Sequence, residues 1–168
     1  KWLAKEEGEV HRCLVTGALA PIAIKHPLIK GVRDAQPTGA ALVSFNDRAY
    51  ESYGHENDQG RNAPVSKKAA FAYGTALNAL IADDQHTTHL GDTTVVYWAE
   101  KDSTAAQDVF RGMVLGDDDG NQMTDDTLDA ILEKIQNGEV ISYHDIDLPY
   151  DNPFYILGLA PNAAQLSV

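Results

Sequence analysis

Polar and cationic side chains concentrate between residues 44 and 68, where a strand-like run leads towards a clear helical pattern. Amides there supply hydrogen-bond donors and acceptors, tyrosines supply flat ring faces, and arginines and lysines supply charge. The residues are Asn46, Arg48, Tyr50, Tyr53, Asn57, Gln59, Arg61, Asn62, Lys67 and Lys68. Such a set can contact a base edge or a phosphate backbone. Asn, Gly and Tyr are also typical of ordinary tight turns, and composition by itself favours that interpretation.

Charge divides the chain into two parts. The whole sequence of 168 residues has a formal net charge of -12. Residues 1–70 carry ten Lys and Arg against eight Asp and Glu, whereas the remainder carries three against seventeen. Because attraction to phosphate depends on the cations that a surface presents, the second part is expected to repel nucleic acid. The first part stays a candidate for nucleic-acid contact.

Other groups of potentially reactive residues do not have the spacing that metal sites or catalytic sites require. Residues 117–128 begin like a calcium loop but lack its glycine at position six and its glutamate at position twelve. His86 and His89 point to opposite faces if they lie on a strand, which favours two surface histidines. Cys13 is the single cysteine, and a buried thiol in a strand is the favoured interpretation. We therefore expect no catalytic residues, no metal site and no cofactor.

The pattern of apolar residues predicts an α+β domain spanning residues 1–168, with a mixed or antiparallel sheet packed with about three helices. Ser66 is placed to cap the best helix, and the run DTTVVYWAEK is rich in β-branched and aromatic residues. The predicted strands are residues 11–18, 39–46 and 92–101, with an apolar strand, a Pro-Asn bend and a further element in 152–168. The predicted helices are residues 66–83, 103–115 and 124–137, with a turn or mobile loop at DDDGNQ between the last two.

Length and composition suit a folded domain in a reducing compartment. A hydrophobic fraction of 43% is ordinary for a globular protein. No apolar run reaches the length of a membrane span, and the first residues lack a signal-peptide pattern. A single cysteine makes the cytoplasm the simplest expectation. The absence of an initiator Met and the apolar end suggest a piece of a larger protein.

Seven segments occur in the order of a known family, the large subunit of type I-C CRISPR effector complexes (Cascade), which the chain resembles from Arg12 onward. They are CLVTG, APIAIKHPLIKGV, GAALVSFN, ESYG, NAPVSKKAAFAY, GDTTVVYWAE and FYILGLAPNAAQLSV. A string of long motifs in order is far more specific than any short pattern. The resemblance is weakest across residues 102–150.

The resemblance implies a non-enzymatic role in antiviral defence, as an internal fragment of a longer large subunit. Such subunits join other Cascade subunits and the guide RNA, recognise the short motif that flanks the target in double-stranded DNA, help to open the duplex, and support recruitment of a helicase-nuclease. Guide pairing reads the target, so the protein reads only the flanking motif and backbone shape. That task requires a few amides and cations rather than a uniformly basic surface.

We therefore expect the loop from Asn46 to Lys68, in the first part of the chain, to be the surface that faces nucleic acid or a neighbouring subunit. The candidates for base or sugar contacts are Gln36, Asn46 and Asn62, and the candidates for phosphate contacts are Lys25, Lys30, Arg33, Arg48 and Arg61. The alternative is a structural or subunit-docking segment of the same complex that does not touch DNA, and the net charge favours it.

Overall fold

The computed structural model describes residues 8–45, 49, 51, 54–55, 59–101, 104–115, 133, 141–143, 146–148, 151–162 and 165–168. Within these ranges the chain forms ten strands and three helices, which confirms the α+β prediction. The strands are β1 (Val10–Arg12), β2 (Leu19–Pro21), β3 (Leu28–Ile29), β4 (Ala40–Ala41), β5 (Thr87–Leu90), β6 (Thr93–Ala99), β7 (Ile141–Tyr143), β8 (Ile146–Leu148), β9 (Phe154–Asn162) and β10 (Gln165–Ser167). The helices are α1 (Gln59–Asn62), α2 (Lys67–Ile81) and α3 (Thr104–Leu115).

A six-stranded mixed sheet of order β3-β4-β10-β9-β6-β5 organises the fold. Strand β10 runs parallel to β4, and the other neighbours are antiparallel. The pairs β1-β2 and β7-β8 form separate antiparallel hairpins. The predicted strand at 92–101 is β6, whose β-branched and aromatic residues suit a buried pleated surface.

Helices cover both faces of this sheet. Val96 pairs with Leu157, and because side chains alternate along a strand, both face the same side. On that side Val96 packs with Leu77 and Ile81 of α2 in the main core. The neighbouring Tyr97 points to the other side of the sheet. There its ring forms an aromatic cluster with the rings of Phe110 and Phe154, with centroid separations of 4.7 to 6.1 Å. Strand β6 is therefore buried between α2 and α3.

Helix α2 begins where the sequence predicts. The Ser66 side chain accepts a hydrogen bond from the Ala69 N–H at 3.2 Å, with the extended backbone of an N-cap residue. Such a cap typically contributes about 1 kcal/mol. The helix ends at Ile81, and the Ala82 N–H donates to the Asn78 carbonyl oxygen. Ala70, Gly74, Leu77 and Ile81 are buried on its inner face.

An extended segment, residues 22–33, runs alongside α2 from its first turn to its last, and we call it the strap. Ile22 bridges to Ser66 at the start of the helix. In the middle, Pro27 packs on Gly74, where an added Cβ would lie 2.4 Å from the proline Cγ. Near the end, the Asn78 side chain accepts from the Lys30 N–H at 2.7 Å. The strap and α2 therefore run in parallel as one packed unit.

Several strand predictions need correction. The predicted strand at 39–46 is only Ala40–Ala41, because its pairing is confined to Leu28–Ile29 and to Gln165. The predicted strand at 11–18 is Val10–Arg12, followed by a turn. The closing apolar strand is confirmed as β9, the element after it is strand β10, and the helix at 103–115 is confirmed as α3. The predicted Pro-Asn bend is wrong, because Pro161 and Asn162 are paired residues at the end of β9. The DDDGNQ turn and the predicted helix at 124–137 lie outside the described residues, except for Glu133.

His86 also differs from its prediction as a surface residue. It precedes β5, is half-buried, and its Nδ1 lies 3.1 Å from the Tyr97 carbonyl oxygen and 3.2 Å from Nε2 of buried Gln107. His89 is exposed on β5. Because β5 is only four residues long, its sequence carries too little alternation to predict it.

Candidate nucleic-acid interface

Three of the predicted phosphate contacts lie on the strap. Lys25, Lys30 and Arg33 are all exposed. Their main chain is held in place, since Lys30 N–H donates to Asn78 and Arg33 N–H donates to the Thr94 hydroxyl at 2.9 Å. The backbone is thus fixed while the cationic side chains stay in solvent. We call these three residues the cation row.

The acidic side chain of Asp34 approaches the cation row. The Arg33 Nε lies 3.9 Å from an Asp34 carboxylate oxygen, and both side chains are more than half exposed. Ion pairs in such an environment contribute little, because water and salt screen them. Arg33 therefore keeps most of its attraction for an external anion.

Gln36 follows the strap in the connection between β3 and β4. Its carbonyl oxygen accepts from the Gly39 N–H at 2.8 Å, which closes a turn, and its side chain is exposed. Gly39 has φ 104°, and a Cβ there would lie 2.9 Å from Leu28 Cβ, so the turn requires glycine. The amide of Gln36 is therefore exposed three residues after the last cation of the row.

Arg61 and Asn62 lie on α1 and make contacts within the chain. The Arg61 guanidinium binds both carboxylate oxygens of Glu9, with Nε 3.2 Å from one of them. The hydrogen bonds from Arg61 lower the pKa of Glu9, and the hydrogen bond from His11 lowers it further by a smaller amount. The Asn62 amide donates to the His55 carbonyl oxygen at 3.1 Å. Their roles as nucleic-acid contacts stay predictions, but Glu9 already compensates much of the Arg61 charge.

The two other predicted contacts, Asn46 and Arg48, lie outside the described residues. Lys25, Lys30, Arg33 and Gln36 thus lie exposed along one continuous stretch of the chain, and Arg61 and Asn62 lie on a separate helix.

A groove between the strap and the first half of α2 was not predicted. It has a volume of about 440 Å³ and is lined by Ala23, Ile24, Lys25, His26, Pro27, Lys67, Ala70 and Phe71. Phe71 is 71% exposed and Ile24 is 67% exposed. The sequence did contain a signal, because Lys67, Ala70 and Phe71 stand at positions i, i+3 and i+4 of a predicted helix and so share one face.

His26 lines this groove and is hydrogen-bonded to Tyr73 of α2. The Tyr73 hydroxyl lies 2.7 Å from His26 Nδ1, and it donates a hydrogen bond to this nitrogen when the neutral imidazole carries its proton on Nε2. Burial lowers the pKa of His26 and raises the pKa of Tyr73. Both groups are therefore held in their neutral forms, which suits an apolar contact between the strap and α2.

We expect this histidine to make stability depend on pH. Between its lowered folded pKa and the ordinary value near 6.5, the unfolded chain binds more protons, so stability falls as the pH drops through that window. Urea unfolding of wild type and His26→Gln at pH 7, 6 and 5 measures this. The free energy of unfolding should decline less steeply for the variant. Parallel curves for the two proteins would contradict the assignment.

Cys13 connects the first hairpin to the start of α2. It is 1% exposed, and its Sγ accepts from the Ser66 N–H at 3.2 Å. This bond, together with the Thr16 hydroxyl, lowers the pKa of the thiol to about 6. The prediction of a buried cysteine is correct, although Cys13 lies just after β1, and no sequence pattern indicated that the pKa of its thiol is lowered. No group of three or more His, Cys, Asp or Glu in the described ranges is arranged to hold a metal ion.

Comparison with known proteins identifies the family. The family of the CRISPR-associated protein Cas_Csd1 matches residues 2–168, which is nearly the whole chain. No curated protein matches the chain. In the part of the chain that is described, no helix combines the length and apolarity needed to cross a bilayer. The match confirms the predicted association with CRISPR-Cas defence and implies membership of a Cas complex, and the chain belongs to the Cas_Csd1 family of CRISPR-associated proteins.

Proposed function

We propose that this chain is part of the large subunit of a type I-C guide-RNA complex and contacts target double-stranded DNA beside the guide-paired region. In this role it is not an enzyme. It binds the flanking motif and backbone, assists opening of the duplex, and belongs to an assembly that recruits a helicase-nuclease. Other Cascade subunits and the guide RNA are its partners.

The cation row is the observation that carries this proposal. Three exposed cations follow one strap whose backbone is tied to α2 and to the sheet. Fixed cations of this kind set the position of a duplex through its phosphates, while an adjacent amide reads a base edge. Gln36 supplies such an amide at the end of the row.

The distribution of charge supports the same face of the molecule. Described acidic side chains of the second part include Asp83, Asp84, Asp92 and Glu100, all exposed and all outside the strap. DNA is therefore attracted to the strap and repelled elsewhere, which orients the complex without requiring a basic protein.

A second candidate is subunit docking without DNA contact. The first hairpin favours it, because Leu14, Val15 and Leu19 near its tip are each about two-thirds exposed. Exposed aliphatic side chains in a cluster are typical of protein interfaces. The hairpin and the strap are different surfaces, so docking by one is compatible with DNA contact by the other.

The test is equilibrium binding of duplexes by the complete complex that contains the full-length protein. Two duplexes with the same target and different flanks are compared across a salt series. The proposal expects preference for one flank and a steep decrease of affinity with salt. Equal affinity for all flanks would refute recognition of the flanking motif.

A further inference from the structure

We propose that the groove between the strap and α2 binds single-stranded nucleic acid, with one unpaired base stacked on Phe71 and its phosphates held by Lys25 and Lys67. The inference rests on the proposed function, in that the strap faces target DNA. It specifies which form of the nucleic acid occupies this groove.

The groove has the two components that single strands require. Lys67 and Phe71 are one helical turn apart on α2, and Lys25 lies across the groove on the strap. Phe71 is 71% exposed, so a ring face is open to a ligand. Proteins that bind single strands combine cations that follow the backbone with aromatic rings on which bases stack.

The lining also disfavours a closed duplex at this position. Ala23, Pro27 and Ala70 form an apolar floor, and His26 is held neutral by its burial. An apolar surface gains by covering a base face, whereas a paired base has both faces covered by its neighbours. A strand that has already left the duplex therefore fits the groove better than the duplex itself.

An acidic peptide could occupy the same groove, but the volume of the groove favours a single base. A volume of about 440 Å³ accommodates one ring system with its sugar. Stable protein docking buries about 800 Å² on each partner, which is far more than this groove provides. The peptide remains a defined outcome of the test.

The experiment compares two probes on the complete complex with full-length protein. One is a fluorescein-labelled single strand of twelve thymidines that is not complementary to the guide. The other is a duplex that carries the flank but no sequence complementary to the guide, so that both of its strands stay paired. Phe71→Ala should weaken binding of the single strand about tenfold while binding of the duplex changes less than twofold. Phe71→Tyr should restore binding because it restores the ring.

Leu90→Ala is the matched control, because Leu90 is an exposed apolar residue at the far edge of the sheet. It should leave both affinities unchanged. Unchanged single-strand binding by Phe71→Ala, or an equal loss for both probes, overturns the inference. Loss of a protein subunit from the purified Phe71→Ala complex also overturns it, and assigns the groove to a peptide.

A second variant distinguishes failure of the proposed duplex contact from failure of the proposed single-strand site. A Lys30→Gln variant reports on the duplex, since Lys30 lies on the strap outside the groove lining. If Lys30→Gln leaves duplex binding unchanged while Phe71→Ala weakens the single strand, duplex contact by the strap is refuted and the groove is retained. The opposite pair of results retains the strap and refutes the groove.

Discussion

Replacing Lys25, Lys30 and Arg33 together by Gln is expected to lower the affinity of the complete complex for its target duplex about 100-fold at 0.15 M salt. Each phosphate contact releases condensed counterions and contributes about 0.9 to the slope of log affinity against log salt. Three contacts therefore contribute nearly three to that slope. Because the three side chains are exposed, their removal should leave the free energy of unfolding almost unchanged.

The measurement is a salt titration of duplex binding for wild type, the triple variant and Lys101→Gln. Lys101 is an exposed cation that pairs with Asp151 at 3.1 Å in the acidic part, so it controls for the loss of positive charge as such. We expect a shallower slope only for the triple variant. Wild-type slope and affinity in an intact triple-variant complex would contradict contact between the cation row and DNA.

The second large effect is expected from Gly74→Ala, which should separate the strap from α2. A Cβ at this position would lie 2.4 and 3.0 Å from two carbons of the Pro27 ring, which cannot bend away as a flexible side chain would. Overpacking of this kind costs typically 1 to 3 kcal/mol, and the better helix propensity of Ala offsets about 1 kcal/mol of it. Because both distances are no longer than the limit of ordinary Cβ contacts, we take the upper end of this range and expect net destabilisation of about 2 kcal/mol.

The same change should also weaken duplex binding, since Lys30 is positioned through Asn78 only while the strap lies on the helix. Chemical unfolding and duplex binding are measured for Gly74→Ala beside Thr75→Ala, which changes an exposed position of the same helix. The control should be as stable as wild type. A Gly74→Ala protein with wild-type stability and binding would show that the strap does not depend on this contact.

Helices and strands that have a strong local sequence pattern were predicted well. Helix α2 carries a capping Ser66 and a continuous inner face, and β6 is a run of β-branched and aromatic residues. Short strands were missed or misplaced, because two to four residues do not establish a period. Strand β4 exists only through its neighbours, and β3 only through β4 and the packing of the strap.

The sequence predicted which cationic residues belong to the candidate site, but it did not predict how the strap that carries them packs on the rest of the protein. The asymmetry of charge pointed to the first part of the chain, and Lys25, Lys30 and Arg33 were named from it. Their alignment depends on contacts between residues about 50 positions apart, such as that of Lys30 with Asn78. The Glu9–Arg61 pair spans a similar separation, and no local pattern predicts it.

Photo-crosslinking from position 36 tests most directly whether this face of the protein meets DNA. Gln36 is exposed at the end of the cation row, so a benzophenone amino acid placed there leaves the cations intact. The same amino acid at exposed Asp108 on α3 is the control. In the complete complex with target duplex, we predict crosslinks from position 36 to the DNA flank and none from position 108. Crosslinks from position 36 only to another protein subunit would contradict DNA contact and establish docking instead.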